Sequence, residues 1–341
     1  MTSGIHGAEI INDAGAAVPS TVDLERDRSA SGRSLPFKNM VQVPGGEFLM
    51  GSDHHYPEEA PAHRVVVGGF WMDRTTVTNG EFRRFVEASR YVTLAERPAN
   101  AADYPGARVD SLAPASALFV KPPRGIDRSN HYNWWAYVCG ANWRHPRGPA
   151  SSLKGLEDHP VVHIAYEDAQ AYADWAGKTL PTEAEWELAA RGGLDGAEFA
   201  WGGELTPGGH HMANTYQGEF PFRNDCEDGY EWTAPVGSFP ANGYGLYDMA
   251  GNVWQWTTDW FQEHRRIESP CCTMTNPRGG EREASYDPLA PDIRIPRKVT
   301  KGGSFLCAPS YCRRYRPAAR MAQPVDTSTC HLGFRCIVRA A

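Results

Sequence analysis

The stretch TLPTEAEWELAARGG, residues 179–193, is the clearest regular element in the sequence, and the rarity of such elements is what most constrains the fold. Thr182 caps a helix, Glu185 completes a capping box, Trp186 and Ala189 face inward, and Gly192-Gly193 stop it. A second helix is expected after the Thr78-x-x-Glu81 box, with Phe82, Phe85 and Val86 on one face. A third should run from Ala165 to Gly177, with Ala169, Tyr172 and Ala176 inward and the glycine as C-cap. VQVPGGEFLMGS reads as a hairpin turning at Pro44-Gly45-Gly46, and HRVVVGGFWMDRTTVT as a further strand. WTAPVGSF, WQWTTDWF, KVTKGGSFL and GFRCIVRA are short strand candidates. Residues 99–149 read as long ordered loops held by Trp134, Trp135 and Trp143, and 262–298 as a polar surface insertion or mobile loop.

With 34 Gly, 26 Pro and 11 Trp and no internal repeat, this pattern predicts one α+β domain over residues 40–341 with little regular structure, after a disordered tail over 1–39. Such a chain has many backbone groups outside ladders, and bound cations are a common way to satisfy them.

The formal charge of −7, with both signs mixed along the chain, argues against a nucleic-acid binder and favours a positively charged partner. No apolar run reaches the length of a membrane span, and the N-terminal residues lack a basic start followed by an apolar block. The expectation is a cytoplasmic protein, a monomer, in which paired cysteines lean towards metal or redox chemistry. Of the eight cysteines, Cys139 and Cys226 are expected to be small buried hydrophobes, while Cys271, Cys272, Cys330 and Cys336 suggest no role.

Cys307 and Cys312 stand apart. Five residues separate them, a spacing that points side chains to opposite faces of a strand and well past one face of a helix. A bend at Ala308-Pro309-Ser310 would bring the sulfurs together. Three readings fit: two unrelated cysteines, a redox dithiol without the Cys-x-x-Cys pattern, or a metal site. Structural zinc wants four ligands, whereas two thiolates alone suit a soft ion of low coordination number such as Cu(I). Arg313, Arg314 and Arg316 would favour thiolate over thiol, or else are solvated or paired with buried carboxylates.

VPGGEFLMGS, GANWRHP, HPVVHIAYEDAQAYADWAGKTLPTEAEWELAARGG, ANTYQGEFP, EDGYEWTAPVGSFPANGYGLYDMAGNVWQWTTDW, KGGSFLCAPSYCRRYRPAAR and HLGFRC follow one another in order. With these motifs, residues 40–341 resemble the formylglycine-generating enzymes, the sulfatase-modifying oxidases. The cysteine pair in its GGS-x-x-C-x-x-x-x-C-x-R-Y-R setting is the part characteristic of the true oxidases.

The resemblance implies a variant of the C-type lectin fold. It also implies oxidation of a cysteine in an unfolded or extended sulfatase segment of pattern Cys-x-Pro-x-Arg to Cα-formylglycine, using dioxygen and a thiol reductant. Cys307 and Cys312 would hold Cu(I) with the substrate thiolate as third ligand; Ser304 would donate a hydrogen bond in the oxygen pocket, and Trp254 and Tyr311 would line its wall. Two calcium sites are implied. The first uses side-chain oxygens of Asn214 and Asp228 with carbonyls of Thr215 and Tyr230. The second uses Asp248 and Gln255 with carbonyls of Gly251 and Val253, and here relatives often carry glutamate at the Gln255 position and asparagine at that of Asp248.

An acid between Glu96 and Asp127 is expected to read the substrate arginine. Structural disulfides of the family's endoplasmic-reticulum members are absent, since Ala173, Ala190 and Pro317 stand at partner positions, and His331 replaces a usual asparagine. Alternatives on the same fold are a non-catalytic binding protein, which would not retain both cysteines, and a non-haem iron sulfoxide synthase. The latter needs clustered histidines, whereas His54, His55, His63, His210 and His211 read as surface residues.

Overall fold

A computed structural model describes residues 37, 39–264 and 273–339, without the side chains of 109 and 110. The tail expected over 1–39, apart from Phe37 and Asn39, and the Cys271-Cys272 pair lie outside the described residues. Three α-helices form where the capping signals stand: α1 over Asn79–Ser89, α2 over Tyr166–Trp175 and α3 over Glu183–Arg191. Thr78 and Thr182 each accept from the N3 backbone N–H while Glu81 and Glu185 return the bond, so α1 and α3 start at full capping boxes. In α2 Asp168 performs the return half, accepting from Ala165 N at 2.9 Å.

Strands are short and scattered over five small sheets. The largest has four strands in the order Arg320–Pro324, Arg297–Lys301, Trp254–Trp260, Leu332–Gly333, the last pair parallel. In a second, Phe70–Asp73 lies between Met40–Val43 and Ile337–Arg339, so the first and last described strands share one sheet.

The expected hairpin at Pro44-Gly45-Gly46 does not form. Met40–Val43 pairs with Phe70–Asp73, and Gly46–Met50 pairs in a different sheet with His63–Val67. A Cβ on Gly45 would lie 2.6 Å from the Val67 carbonyl and from Gly69 N, so this glycine packs backbone on backbone where the chain changes sheets. The single strand expected over 63–78 is likewise two strands, His63–Val67 and Phe70–Asp73, broken at Gly68-Gly69.

WTAPVGSF forms no strand, and KVTKGGSFL is strand only to Lys301. The loops expected over 99–149 contain a strand pair, Ala115–Phe119 with Trp135–Cys139. The expected insertion over 262–298 is partly built in, since Met274–Thr275 pairs parallel to His63–Val67.

α3 is buried on every side, although its pattern suggested one inward face. Its acids are matched by cations from other elements and by Arg191 at its own end. Glu183 takes two bonds from Arg320 at 2.7 Å, Glu187 faces Lys301 at 2.9 Å and Arg191 at 2.7 Å, and Glu185 faces Arg339 at 2.6 and 2.7 Å. Burial alone would raise Glu183 and Glu187; Arg320 and Lys301 nevertheless hold Glu183 well below the usual range, and Lys301 and Arg191 hold Glu187 below it. α3 thereby anchors strand Arg297–Lys301, which leads directly into the cysteine segment.

Candidate active site

Beyond Lys301 the chain turns at Gly302 (φ +95°) and Gly303 (φ +69°). A Cβ on Gly303 would stand 2.7 Å from the Arg314 carbonyl, so only glycine lets the strand exit pass under the returning chain. Cys307 N donates to Ser304 O at 2.9 Å, then Tyr311 N and Cys312 N both donate to Ala308 O at 3.0 and 2.8 Å. Ala308–Cys312 is thus one helical turn with Pro309 at its start, the bend the spacing required. It brings Cys307 Sγ and Cys312 Sγ to 3.2 Å, both buried.

The two thiols differ electrostatically. Cys312 accepts from Cys307 and from Arg314 Nη1 (3.9 Å), and these donors hold it below the ordinary thiol range. Burial pushes Cys307 well up. The pair therefore favours one negative charge, on Cys312, with the remaining proton on Cys307.

The arginines after Cys312 are not a solvated patch. Arg314 pairs with Glu58 and lies over the Tyr56 ring at 3.9 Å, while Arg316 makes a fork to Glu59 at 2.8 and 2.5 Å with both partners fully buried. Arg320 bonds the Glu58 carbonyl at 3.2 Å. Three arginines of one segment, Arg314, Arg316 and Arg320, thus clasp the single turn Pro57–Glu59. Sequence reasoning left paired carboxylates open but did not find Tyr56, Glu58 and Glu59, because nothing in PEEAP marks a contact some 257 positions away.

The opposite side is aromatic. Tyr311, 46 % exposed, stacks on Phe220 at 4.3 Å, and Trp134 meets both edge-on at 5.6 Å. Ser310 Oγ bonds Gly218 O at 3.3 Å, tying the loop that carries Glu219 and Phe220 to the cysteine turn. Trp254 packs in the same buried cluster as both cysteines, and its backbone N–H donates to His331 O. Ser304 is fully buried and accepts from Leu306 N at 3.2 Å, leaving its own proton to donate.

Of the acids between residues 96 and 127, Glu96 is committed to Trp143 and Arg144, Asp103 accepts from Asn100, and Asp127 accepts from Ser129. Glu219, outside that span, is an acid joined in sequence to the aromatic wall, and it faces exposed Arg124 at 3.4 Å.

The other expected residues form two neighbouring loops. Asn214 directs Nδ2 to Trp232 O (2.8 Å) and Asn252 Oδ1 (3.2 Å), which leaves its Oδ1 buried without a hydrogen-bond partner among the described residues. Asp228 accepts from Thr215 N, Tyr230 N and Gln217 Nε2, and Gln217 Nε2 also reaches the Thr215 carbonyl at 2.5 Å. Asp248, Gly251 and Asn252 all have positive φ, and a Cβ on Gly251 would stand 2.4 Å from Asn214 O.

Cys139 and Cys226 are not buried. The first ends an edge strand and is exposed, and the second is half-buried in a loop at φ +52°. Cys330 and Cys336 are buried free thiols. His54, His55 and His210 are exposed, whereas His63 and His211 are half-buried, His63 against the His264 ring at 5.0 Å. Among the described residues no three His, Cys, Asp or Glu side chains converge as a metal cluster. None of their helices is long and apolar enough to cross a membrane.

A family model described as "Sulfatase-modifying factor enzyme 1-like domain" matches residues 26–340. A relative from Mycobacterium tuberculosis named "Formylglycine-generating enzyme" is 50 % identical over 301 residues, covering 87 % of this chain and 97 % of the relative. One of the same name from Thermomonospora curvata is 47 % identical over 304 residues, covering 88 % and 93 %. Among solved structures, "Structure of PvdO from Pseudomonas aeruginosa" superposes with TM-score 0.57 at 24 % identity, covering 88 % of this chain and 94 % of that one. The fold is the C-type lectin-like variant, α+β with little regular structure, that the sequence predicted.

Proposed function

We propose, for a chain that belongs to the sulfatase-modifying factor enzyme 1-like family, that it converts a cysteine of a sulfatase segment, Cys-x-Pro-x-Arg, to Cα-formylglycine. The observation that carries this reading is the buried thiol pair, 3.2 Å apart, in a chain half identical to a formylglycine-generating enzyme. In net terms the substrate CH2–SH and one dioxygen, with two electrons and two protons from a thiol reductant, give the aldehyde, hydrogen sulfide and water.

Two soft thiolates, with no third His, Cys, Asp or Glu converging on them among the described residues, fit a monovalent copper ion, which Cys307 and Cys312 would hold while the substrate thiolate completes the set. When bound, that ion supplies the electron transfer to dioxygen that closed-shell side chains and zinc do not. Arg314 favours negative charge at Cys312, where a ligand thiolate is needed. Ser304 has a hydroxyl proton to donate within the buried pocket, Trp254 keeps water from it, and exposed Tyr311, backed by buried Phe220, offers an extended peptide an apolar wall. Glu219 is the acid we assign to the substrate arginine, with Arg124 as its partner in the free protein.

A calcium ion at Asn214, Asp228 and the carbonyls of Thr215 and Tyr230 suits the orphaned Asn214 oxygen, since a hard cation needs such donors. The six free cysteines among the described residues suit a reducing, cytoplasmic setting.

The test is conversion of a Cys-x-Pro-x-Arg peptide under air with copper and a thiol reductant, read as mass loss and hydrazide labelling. Aldehyde formation that disappears on copper removal is expected. Full activity after removal, or none with copper restored, rejects the reading.

A further inference from the structure

The second implied calcium site, at Asp248, Gly251, Val253 and Gln255, does not fit the residues present. Gln255 is fully buried, and its Oε1 accepts from Trp186 Nε1 at 2.8 Å and from Arg335 Nε at 2.8 Å. Both partners are obligate donors, so the amide cannot be turned round, and both lone pairs of the oxygen are taken. The Nε2 group donates to the Asp248 carbonyl at 2.9 Å. Gln255 therefore has no oxygen left for an ion.

Arg335 completes the enclosure. Its Nη2 donates to the carbonyls of Tyr247 (2.7 Å) and Asp248 (3.0 Å), and its Nη1 reaches those of Asp73 (3.3 Å) and Arg74 (3.5 Å). A guanidinium stays protonated in proteins and has only donors to offer, so it occupies these carbonyls as a cation. Backbone hydrogen bonds hold the rest of the turn in place. Gly251 N donates to Gly302 O, Asn252 N to Asn214 O, Phe305 N to Asn252 O, and Gly237 N to Asp248 Oδ2.

The Gln255 amide decides the matter: the oxygen it has is saturated by Trp186 and Arg335, and the end facing the Asp248 carbonyl is an N–H donor, which repels a cation instead of ligating it. A glutamate at position 255 would put an oxygen where the Nε2 donor stands and so offer the lone pairs that glutamine lacks there.

We infer that in this chain the Asp248–Gln255 turn is closed by the Arg335 guanidinium instead of a calcium ion, so that the Asn214–Tyr230 loop is left as the one site of the implied pair able to take the ion. Position 255 is the determinant: glutamate admits the ion, glutamine excludes it.

Chelator-stripped full-length protein is titrated with calcium by equilibrium dialysis, beside Asp228→Ala, Asp248→Asn and Gln255→Glu. The inference expects at most one calcium per chain in the parent, none in Asp228→Ala, an unchanged count in Asp248→Asn and one more in Gln255→Glu. Two calcium ions in the parent, or one retained by Asp228→Ala, overturns it without relying on any variant of the second turn. So does a count lowered by Asp248→Asn, or no gain in Gln255→Glu. The first site's reading fails separately, by a parent that binds no calcium.

Discussion

The two sides of the thiol pair are built from opposite materials. On one, Arg314 and Arg316 meet Glu58 and Glu59; on the other, Tyr311 stacks on Phe220 beside Trp134. The Arg316–Glu59 fork is fully buried, so each charge depends on the other and the geometry tolerates no change. On the aromatic wall Phe220 and Trp134 are buried and Tyr311 is half-exposed, and apolar contacts of this kind tolerate repacking. This difference teaches where errors are expensive: the charged side fixes the cysteine turn, and the aromatic side meets whatever peptide arrives.

The strongest way to break this division is to remove the thiols between the two sides. Cys307→Ser and Cys312→Ser are each expected to abolish aldehyde formation, while Cys139→Ser, at an exposed strand end, leaves it nearly intact. Turnover surviving in either serine variant, measured with the peptide assay, would show that the pair is not the centre.

Next in size is Glu59→Gln, which strands the buried Arg316 charge. Global stability should fall by about 3–5 kcal/mol in denaturant unfolding, as for one partner removed from a buried pair. An equal loss from Phe220→Leu would erase the contrast between the two sides.

A pH titration sharpens the comparison further. In the metal-free protein Cys312 is held below the ordinary thiol range, first by the Cys307 bond and then by Arg314. The stability linked to that thiolate is fully present above the unfolded thiol value, and it is lost as pH falls through the folded value. Ultraviolet thiolate absorbance, taken as a difference from Cys312→Ser, should therefore appear at lower pH than for a free thiol. It should move up in Arg314→Met and stay put in Phe220→Leu. An unmoved titration in Arg314→Met removes the charged side's electrostatic role.

The smallest effect belongs to the groove. Tyr311→Ala, at the exposed edge of the wall, should raise KM by roughly fivefold, the scale of about 1 kcal/mol for an aromatic pair, with little change in kcat. Glu219→Gln should weaken an arginine-bearing peptide by a similar or smaller factor, as for an exposed pair, and leave an alanine peptide unaffected. Equal losses on both peptides would remove Glu219 from arginine recognition.

Local signals carried the helices. Thr78 with Glu81 and Thr182 with Glu185 meet within one turn, so each cap is written in four consecutive residues. The cysteine bend was legible for the same reason, because Pro309 and the five-residue spacing act inside one helical turn. Strand pairing was not. Met40–Val43 had a nearby partner to hand in Gly46–Met50, yet it pairs with Phe70–Asp73, and that sheet is closed by Ile337–Arg339 from the far end of the chain. Period-two alternation says which face is buried and nothing about which edge is taken.

What the sequence alone determined is therefore the short-range part: the capped helices, the convergence of Cys307 on Cys312, and the motif order that marks the family. Tertiary structure decided the long-range part, where charges found partners. Glu58 and Glu59 reached Arg314 and Arg316, and Arg335 reached Gln255 and the Asp248 carbonyl. A buried charge must be paired, but any opposite charge or carbonyl dipole satisfies that demand equally well on paper. Only the packed backbone, bringing residues some 257 positions apart to 2.8 Å, selects which one does.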